Sequence, residues 1–286
     1  MKEIVVLSGK GGTGKTSIVG SFAAVAKSKV LADCDVDAAD LHLLLSPTIK
    51  EEQEFWSGQV AVIDEGMCTQ CGLCQEVCRF QAIKDFKVDP ISCEGCGFCY
   101  HVCPTKAITT KECLSGYWFT SETRYGPLVH ARLGIAEENS GKLVALVRQN
   151  AKLAAEKEGL EYIITDGPPG IGCPVISSLS GANLALLVTE PTLSGIHDLE
   201  RVLGVCYHFG IPALVCINKY DINEGNTHRI ETYCLGQGVE VVSKIPLDNV
   251  VTEALVRGLP VVEYSRNRVS EEIERLWQSI LGAASM

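Results

Sequence analysis

The chain has 286 residues, 46% of them hydrophobic, which is enough to bury a large core in one or two domains. Its 25 Lys and Arg face 35 Asp and Glu, for a formal charge of -10, and this acidic balance disfavours sequence-independent binding to nucleic acid phosphates. No apolar run approaches the length of a membrane-spanning helix and the first residues do not read as a signal peptide, so no membrane attachment and a cytoplasmic location are expected.

Residues 3–8 (EIVVLS) form a short apolar, β-branched run of strand type. They lead into Gly9-Lys10-Gly11-Gly12-Thr13-Gly14-Lys15-Thr16, which fits the phosphate-binding pattern G-x4-G-K-[ST]. Glycines let backbone N–H groups turn inward around phosphate oxygens, and the helix that follows presents its positive end to them. Gly11, Gly12, Thr13, Gly14, Lys15, Thr16 and Ser17 are therefore the expected nucleotide contacts. Lys15 would reach the β- and γ-phosphates and the Thr16 hydroxyl would ligate Mg2+. Residues 29–34 (KVLADC) read as a second strand, delivering Asp33 and Asp35 at its end, and residues 47–56 (PTIKEEQEFW) read as a connector.

The middle of the chain carries one cysteine pattern twice. Cys68, Cys71, Cys74 and Cys78 form C-x2-C-x2-C-x3-C, and Cys93, Cys96, Cys99 and Cys103 repeat it at a constant offset, with Gly72 matching Gly97 and Ala82-Ile83 matching Ala107-Ile108. Eight thiolates in this register suit two 4Fe-4S clusters in which the fourth cysteine of each run serves the other cluster. On that pattern Cys68, Cys71, Cys74 and Cys103 hold one cluster and Cys93, Cys96, Cys99 and Cys78 the other. Structural zinc is the alternative for C-x2-C pairs, although the closely spaced third cysteine has no role in a zinc site. Pro104 follows Cys103 as in bacterial ferredoxins, whereas Arg79 follows Cys78.

Residues 161–165 (EYIIT) are a further buried strand, ending in Asp166-Gly167-Pro168-Pro169-Gly170. An acidic residue at a strand end is where a P-loop enzyme places its contact to Mg2+, which makes Asp166 a metal candidate. Two more apolar strands, 183–189 and 212–218, flank a segment with Leu199, Val202, Leu203 and Cys206 at helical spacing. The second runs into Asn218-Lys219-Tyr220-Asp221, the N-K-x-D form that reads guanine in GTPases, so the base could be adenine or guanine. Residues 270–281 (SEEIERLWQSIL) place Ile273, Leu276, Trp277, Ile280 and Leu281 on one face of an amphipathic helix whose polar side is acidic, as expected of a helix packed on its own core. Cys206, Cys216 and Cys234 lie in apolar segments and read as buried thiols.

With Lys10 inside K-G-G-T-G-K-T, the loop resembles the deviant Walker A motif of the MinD/ParA/Mrp ATPases, a group that includes the nitrogenase iron protein. The resemblance covers nearly all of the chain outside the cysteine region. It implies an α/β P-loop NTPase with a mostly parallel sheet, formed by residues 1–57 and 110–286 and interrupted by an α+β ferredoxin-like domain at 58–109. It further implies an ATP-dependent homodimer in which Lys10 reaches phosphates in the partner subunit and Asp35 positions the attacking water. Asp166 and Gly170 would belong to a switch that senses the γ-phosphate, Asn218 would contact adenine, and Pro246 would lie in a segment closing over the base. Lys10, Lys15, Asp35 and Asp166 are thus the expected catalytic set, with ATP, Mg2+ and the two clusters as cofactors. Cys173 stands where the nitrogenase iron protein carries a ligand of its bridging cluster, and Cys113 is the available second cysteine for such an interfacial metal site. Relatives with an inserted ferredoxin suggest three roles: ATP-coupled electron transfer to a redox partner, assembly of a target metalloprotein's cofactor, or positioning with the insert as a docking module.

Overall fold

The computed structural model describes residues 1–134 and 139–284; residues 135–138 and 285–286, which belong to the expected ATPase portion, lie outside the described residues. Eleven strands are described: β1 (Lys2–Ser8), β2 (Lys29–Asp33), β3 (Thr48–Ile63), β4 (Ile83–Lys84), β5 (Lys87–Val88), β6 (Ile108–Thr123), β7 (Gly126–Leu133), β8 (Tyr162–Pro169), β9 (Leu184–Thr189), β10 (Ala213–Asn218) and β11 (Glu240–Ile245). Nine of them form one sheet in the order β11-β10-β9-β1-β8-β2-β7-β6-β3, while β4 and β5 make a small antiparallel hairpin. The pairings around the centre are parallel: β1 lies between β8 and β9, with Val5 opposite Thr165 on one side and Ala185 on the other. The sheet is also parallel from β9 through β10 to β11 and from β8 through β2 to β7.

A parallel sheet must be covered on both faces, because its crossover helices lie there. Side chains alternate along β1 accordingly. Ile4 and Val6 enter a core with Phe22, Leu31 and Trp277, whereas Val5 and Leu7 enter a second core with Val175, Leu199 and Val215. The C-terminal helix Arg268–Ala284 buries Ile273, Leu276, Trp277 and Ile280 in the first core, and the Trp277 ring lies 5.2 Å from that of Phe22. Cys206, Cys216 and Cys234 are buried in these layers. Among the described residues no helix is long and apolar enough to cross a membrane.

Residues 47–56, expected as a connector, belong largely to β3. Its stretch Lys50 to Glu54 is exposed and charged, a common way to blunt an edge strand against unwanted pairing, and β3 is the edge of the sheet. Strand periodicity surfaces only at Phe55, Ser57 and Ala61, the buried positions. The acidic run hid the strand.

The chain divides into two compact units. One comprises residues 1–52, 118–132 and 140–286; the other comprises 53–117 and 133–139 and holds all the motif cysteines. Both β3 and β6 contribute residues to each unit. The core of the second unit is small. Ala61, Cys74, Ile83 and Ile108 are buried in it, with Ile63, Val88, Cys78, Cys93, Cys99 and Cys103 packed around them. A core of this size supplies little stability of its own, and cross-links or bound metal commonly supplement such cores.

Candidate nucleotide site and cysteine sites

The loop after β1 turns directly into the helix Lys15–Val25, with Gly14 at its N-cap in a left-handed conformation (φ 92°). The left-handed backbone favours glycine there, and a Cβ at Gly14 would also stand 2.4 Å from Asn218 Nδ2 and displace that amide. Asn218 Nδ2 itself donates to the Thr13 carbonyl at 2.7 Å, which places this side chain against the loop backbone. Beside the loop lies a cavity of about 660 Å3. Gly11, Gly12, Thr13, Gly14, Lys15, Thr16, Ser17 and Asp35 line it, together with Asp37, Asp40 and Leu43, which the motifs did not single out. Lys10, Asp166, Gly170, Asn218 and Pro246 are not among its lining residues.

At the centre of the site one ammonium faces two carboxylates. Lys15 Nζ is 3.5 Å from Asp35 Oδ2 and 3.7 Å from Asp166 Oδ1, and its side chain is only 7% exposed. Burial lowers the Lys15 pKa, but Asp166, Asp35 and Asp33 together outweigh it and hold the group above its usual value. Burial pushes Asp35 up to about 6, with Lys15 opposing the shift and Asp166 adding to it. Asp166 is raised chiefly by burial, against Lys15 and the nearby Thr16 hydroxyl. Neither Asp166 carboxylate oxygen accepts a hydrogen bond of normal geometry. The Lys15 ammonium offsets part of the cost of two buried acceptors in that state, and a divalent cation beside Thr16 would complete them. Asp33 differs: its carboxylate accepts from the N–H groups of Asp35 and Leu41, both at 3.2 Å, a structural use.

The remaining expected residues have other partners. Gly170 has φ 93° and its N–H donates to the Ser8 carbonyl at 2.9 Å. Pro246 follows β11, and next to it the Leu247 N–H donates to Asp221 Oδ1 at 2.8 Å. Lys10 turns to Glu190, Thr192 and Ser194 of its own chain, none of which carries a motif.

In the second unit the cysteines gather by fours. Cys68, Cys71, Cys74 and Cys103 line one small pocket, and Cys78, Cys93, Cys96 and Cys99 line another. None of them is in a disulfide. Backbone N–H groups point at three of the sulfurs: Ala61 at Cys93 (3.5 Å), Ala82 at Cys78 (3.3 Å) and Ala107 at Cys103 (3.3 Å). Among the described residues no three His, Cys, Asp or Glu side chains converge tightly enough to make a ready site for a single ion. Cys113 belongs to this unit and its thiol donates to the Ser57 carbonyl at 3.4 Å, whereas Cys173 is exposed at the start of the helix Cys173–Leu179 in the other unit.

A nucleotide loop at the carboxyl end of a central parallel strand is a widespread arrangement, and comparison with known proteins narrows it. Residues 4–261 match the CobQ/CobB/MinD/ParA nucleotide-binding domain. The chain belongs to that family. This MinD/ParA-type chain is 34% identical over 281 residues to the uncharacterized protein MJ0578 of Methanocaldococcus jannaschii, with 97% of this chain and 96% of the relative aligned. Among solved structures it is similar to the cell division ATPase MinD of Pyrococcus furiosus, with a TM-score of 0.60 and 18% identity over 98% of both chains. It is similar also to the septum site-determining protein MinD of Pyrococcus horikoshii complexed with Mg-ADP, with a TM-score of 0.59, 18% identity and coverage of 98% and 95%. At these identities the two structures speak for the fold of this MinD/ParA-family member.

Proposed function

We propose that this MinD/ParA-type protein is a Mg2+-dependent ATPase that forms an ATP-loaded homodimer, and that its second unit is a ferredoxin-like domain with two 4Fe-4S clusters serving ATP-coupled electron transfer. The observation that carries the iron–sulfur part is the gathering of the motif cysteines by fours around two pockets, with Cys103 among the first run and Cys78 among the second. This is the crossed grouping that two clusters require and that a sequential pair of zinc sites does not. Cys68, Cys71, Cys74 and Cys103 would hold one cluster and Cys93, Cys96, Cys99 and Cys78 the other. When bound, they supply one-electron chemistry. The N–H groups of Ala61, Ala82 and Ala107 aimed at sulfur would tune the potentials. The small core of that unit is a second support, since cluster ligation would supply what apolar burial lacks.

In the ATPase unit Lys15 would bind the β- and γ-phosphates, and Thr16 and Asp166 would hold Mg2+. Asp35, at the cavity wall, would orient the attacking water and take its proton. A base must be ionised to act. Because burial raises the Asp35 pKa to about 6, its carboxylate protonates as the pH falls through that value. The kcat/KM for Mg-ATP, which reports the ionisation of the free protein, is therefore expected to drop about tenfold per unit below pH about 6 and to level off above it. The Asp35→Asn variant should still bind ATP, accumulate as dimer, and lack this acidic limb; an unchanged profile in a steady-state assay removes Asp35 from the reaction.

The likeness to MinD proteins favours a second reading, a positioning ATPase in which the cysteine unit is a docking module. A third role, assembly of a metalloprotein cofactor, would show as iron passed to an apo-acceptor. Nucleotide can bias the redox chemistry only through different affinities for two states of the protein, and linkage makes the effect mutual. Redox titration of the anaerobic protein with ADP and with a slowly hydrolysed ATP analogue separates the readings. Electron transfer requires different midpoint potentials in the two states, and a different nucleotide affinity in oxidised and reduced protein. Identical values in both experiments remove electron transfer and leave the docking and assembly readings, which iron transfer to an apo-acceptor then separates.

A further inference from the structure

The loop lysine Lys10 does not project freely. Its ammonium is ion-paired to Glu190, at the end of β9, and donates to Thr192 Oγ1 at 3.2 Å and Ser194 Oγ at 3.1 Å. Glu190 is itself shared. Its second carboxylate oxygen accepts from Lys219 Nζ at 3.2 Å, and that ammonium also donates to the Gly12 carbonyl of the phosphate loop at 3.1 Å. Burial raises the Glu190 pKa, but the two lysines reverse the effect and hold it below the ordinary carboxylate value, so the anion persists at neutral pH. The surroundings are built to fit. Thr192 caps the helix Leu193–His208 by accepting from the Gly195 N–H at 3.0 Å, and a Cβ at Gly195 would fall 2.3 Å from the Glu190 carbonyl oxygen. Only glycine there lets the helix start close to the strand end.

We infer that Glu190 is a positioning residue that parks Lys10 in its own subunit and must release it before Lys10 can reach nucleotide held by a second copy of the chain. The inference rests on the cross-subunit role of Lys10 in the reading above. Thr192 and Ser194 complete the parking site, and Lys219 keeps the Glu190 carboxylate oriented toward the loop. Dimer formation then breaks a partly buried ion pair and exchanges it for phosphate, so the latch sets how much protein and ATP are needed for assembly.

The test uses the full chain with Mg2+ and a slowly hydrolysed ATP analogue, followed by sedimentation across a concentration series. Glu190→Gln keeps the shape and weakens the hold on Lys10. It should lower the dimer dissociation constant by about two- to fivefold, the amount expected for one such pair, while leaving ADP affinity at the wild-type value and lowering the thermal midpoint by no more than about 3 °C. Glu190→Asp, with a carboxylate too short to serve both lysines, should fall between. In the Lys10→Ala background Glu190→Gln should change nothing, because a latch has no effect without its bolt. A wild-type or weakened dimer in Glu190→Gln, or a gain that persists without Lys10, overturns the latch. If the wild type dimerises and Lys10→Ala does so equally well, the cross-subunit role of Lys10 fails as well, and that outcome is read from the Lys10 variant alone.

Discussion

Replacing Lys15 with alanine should weaken Mg-ATP binding by at least about a hundredfold, roughly 2.7 kcal/mol, the largest single effect expected in the ATPase unit. Lys15 is the cation buried between Asp35 and Asp166, at 3.5 and 3.7 Å. Without it, the polyanionic phosphates would meet two carboxylates with only Mg2+ as countercharge. The carboxylates would respond by taking up protons, since burying uncompensated charge costs more than neutralising it. The sign follows from the Asp35 shift. Its pKa already stands at about 6 with Lys15 opposing the rise, so the variant should move the apparent value further up. Calorimetric titration with Mg-ATP measures the lost affinity, and a pH series of thermal unfolding curves separates it from a folding defect. Lys15→Arg should not restore binding, because a planar guanidinium does not replace a compact ammonium in a tight loop. Wild-type affinity in Lys15→Ala would mean that the cavity beside the loop is not where the phosphates bind.

The second large effect concerns the cysteines. Anaerobically prepared protein should contain about eight iron and eight acid-labile sulfides per chain, and Cys74→Ala should remove about half of both. Cys103→Ala should resemble Cys74→Ala in its electronic and paramagnetic spectra, while Cys78→Ala should resemble Cys99→Ala. That pairing follows the pockets, in which Cys103 joins Cys74 and Cys78 joins Cys99, and not the order of the cysteines along the chain. Cys74 is also buried in the small core of its unit, so its loss should make residues 53–117 more susceptible to proteolysis than the ATPase unit. Colourless protein with stoichiometric zinc after anaerobic reconstitution would overturn the cluster reading. Spectra in which Cys103→Ala resembles Cys99→Ala and Cys78→Ala resembles Cys74→Ala would overturn the crossed assignment.

The sequence by itself determined the chemistry that is written in contiguous residues. A phosphate loop is a local object: the glycines, Lys15 and Thr16 work through backbone conformations adopted within a few residues, and the chain does form the loop between β1 and its helix. The central strands were legible for a related reason. A parallel strand covered on both faces reads as an unbroken apolar run, and β1, β2, β9 and β10 lie within about a residue of where those runs predict them. Membership of the MinD/ParA family followed from the same local signals.

Tertiary structure alone decided the pairings between distant residues. Lys10 finds Thr192, 182 residues away, and the carboxylate of Glu190 beside it, because crossover connections bring the end of β9 next to the end of β1. No periodicity or motif marks that carboxylate. Asp166 could be placed at a strand end from its surroundings in sequence, but its lack of hydrogen-bond partners is a property of the packed interior. The strand in residues 48–63 was hidden for the opposite reason: as an edge strand it carries charge where interior strands carry apolar side chains. Local sequence dictates backbone conformation and the chemistry of short motifs, whereas the partner of a charged side chain is chosen by sheet order, which long-range burial settles only once the whole chain has packed.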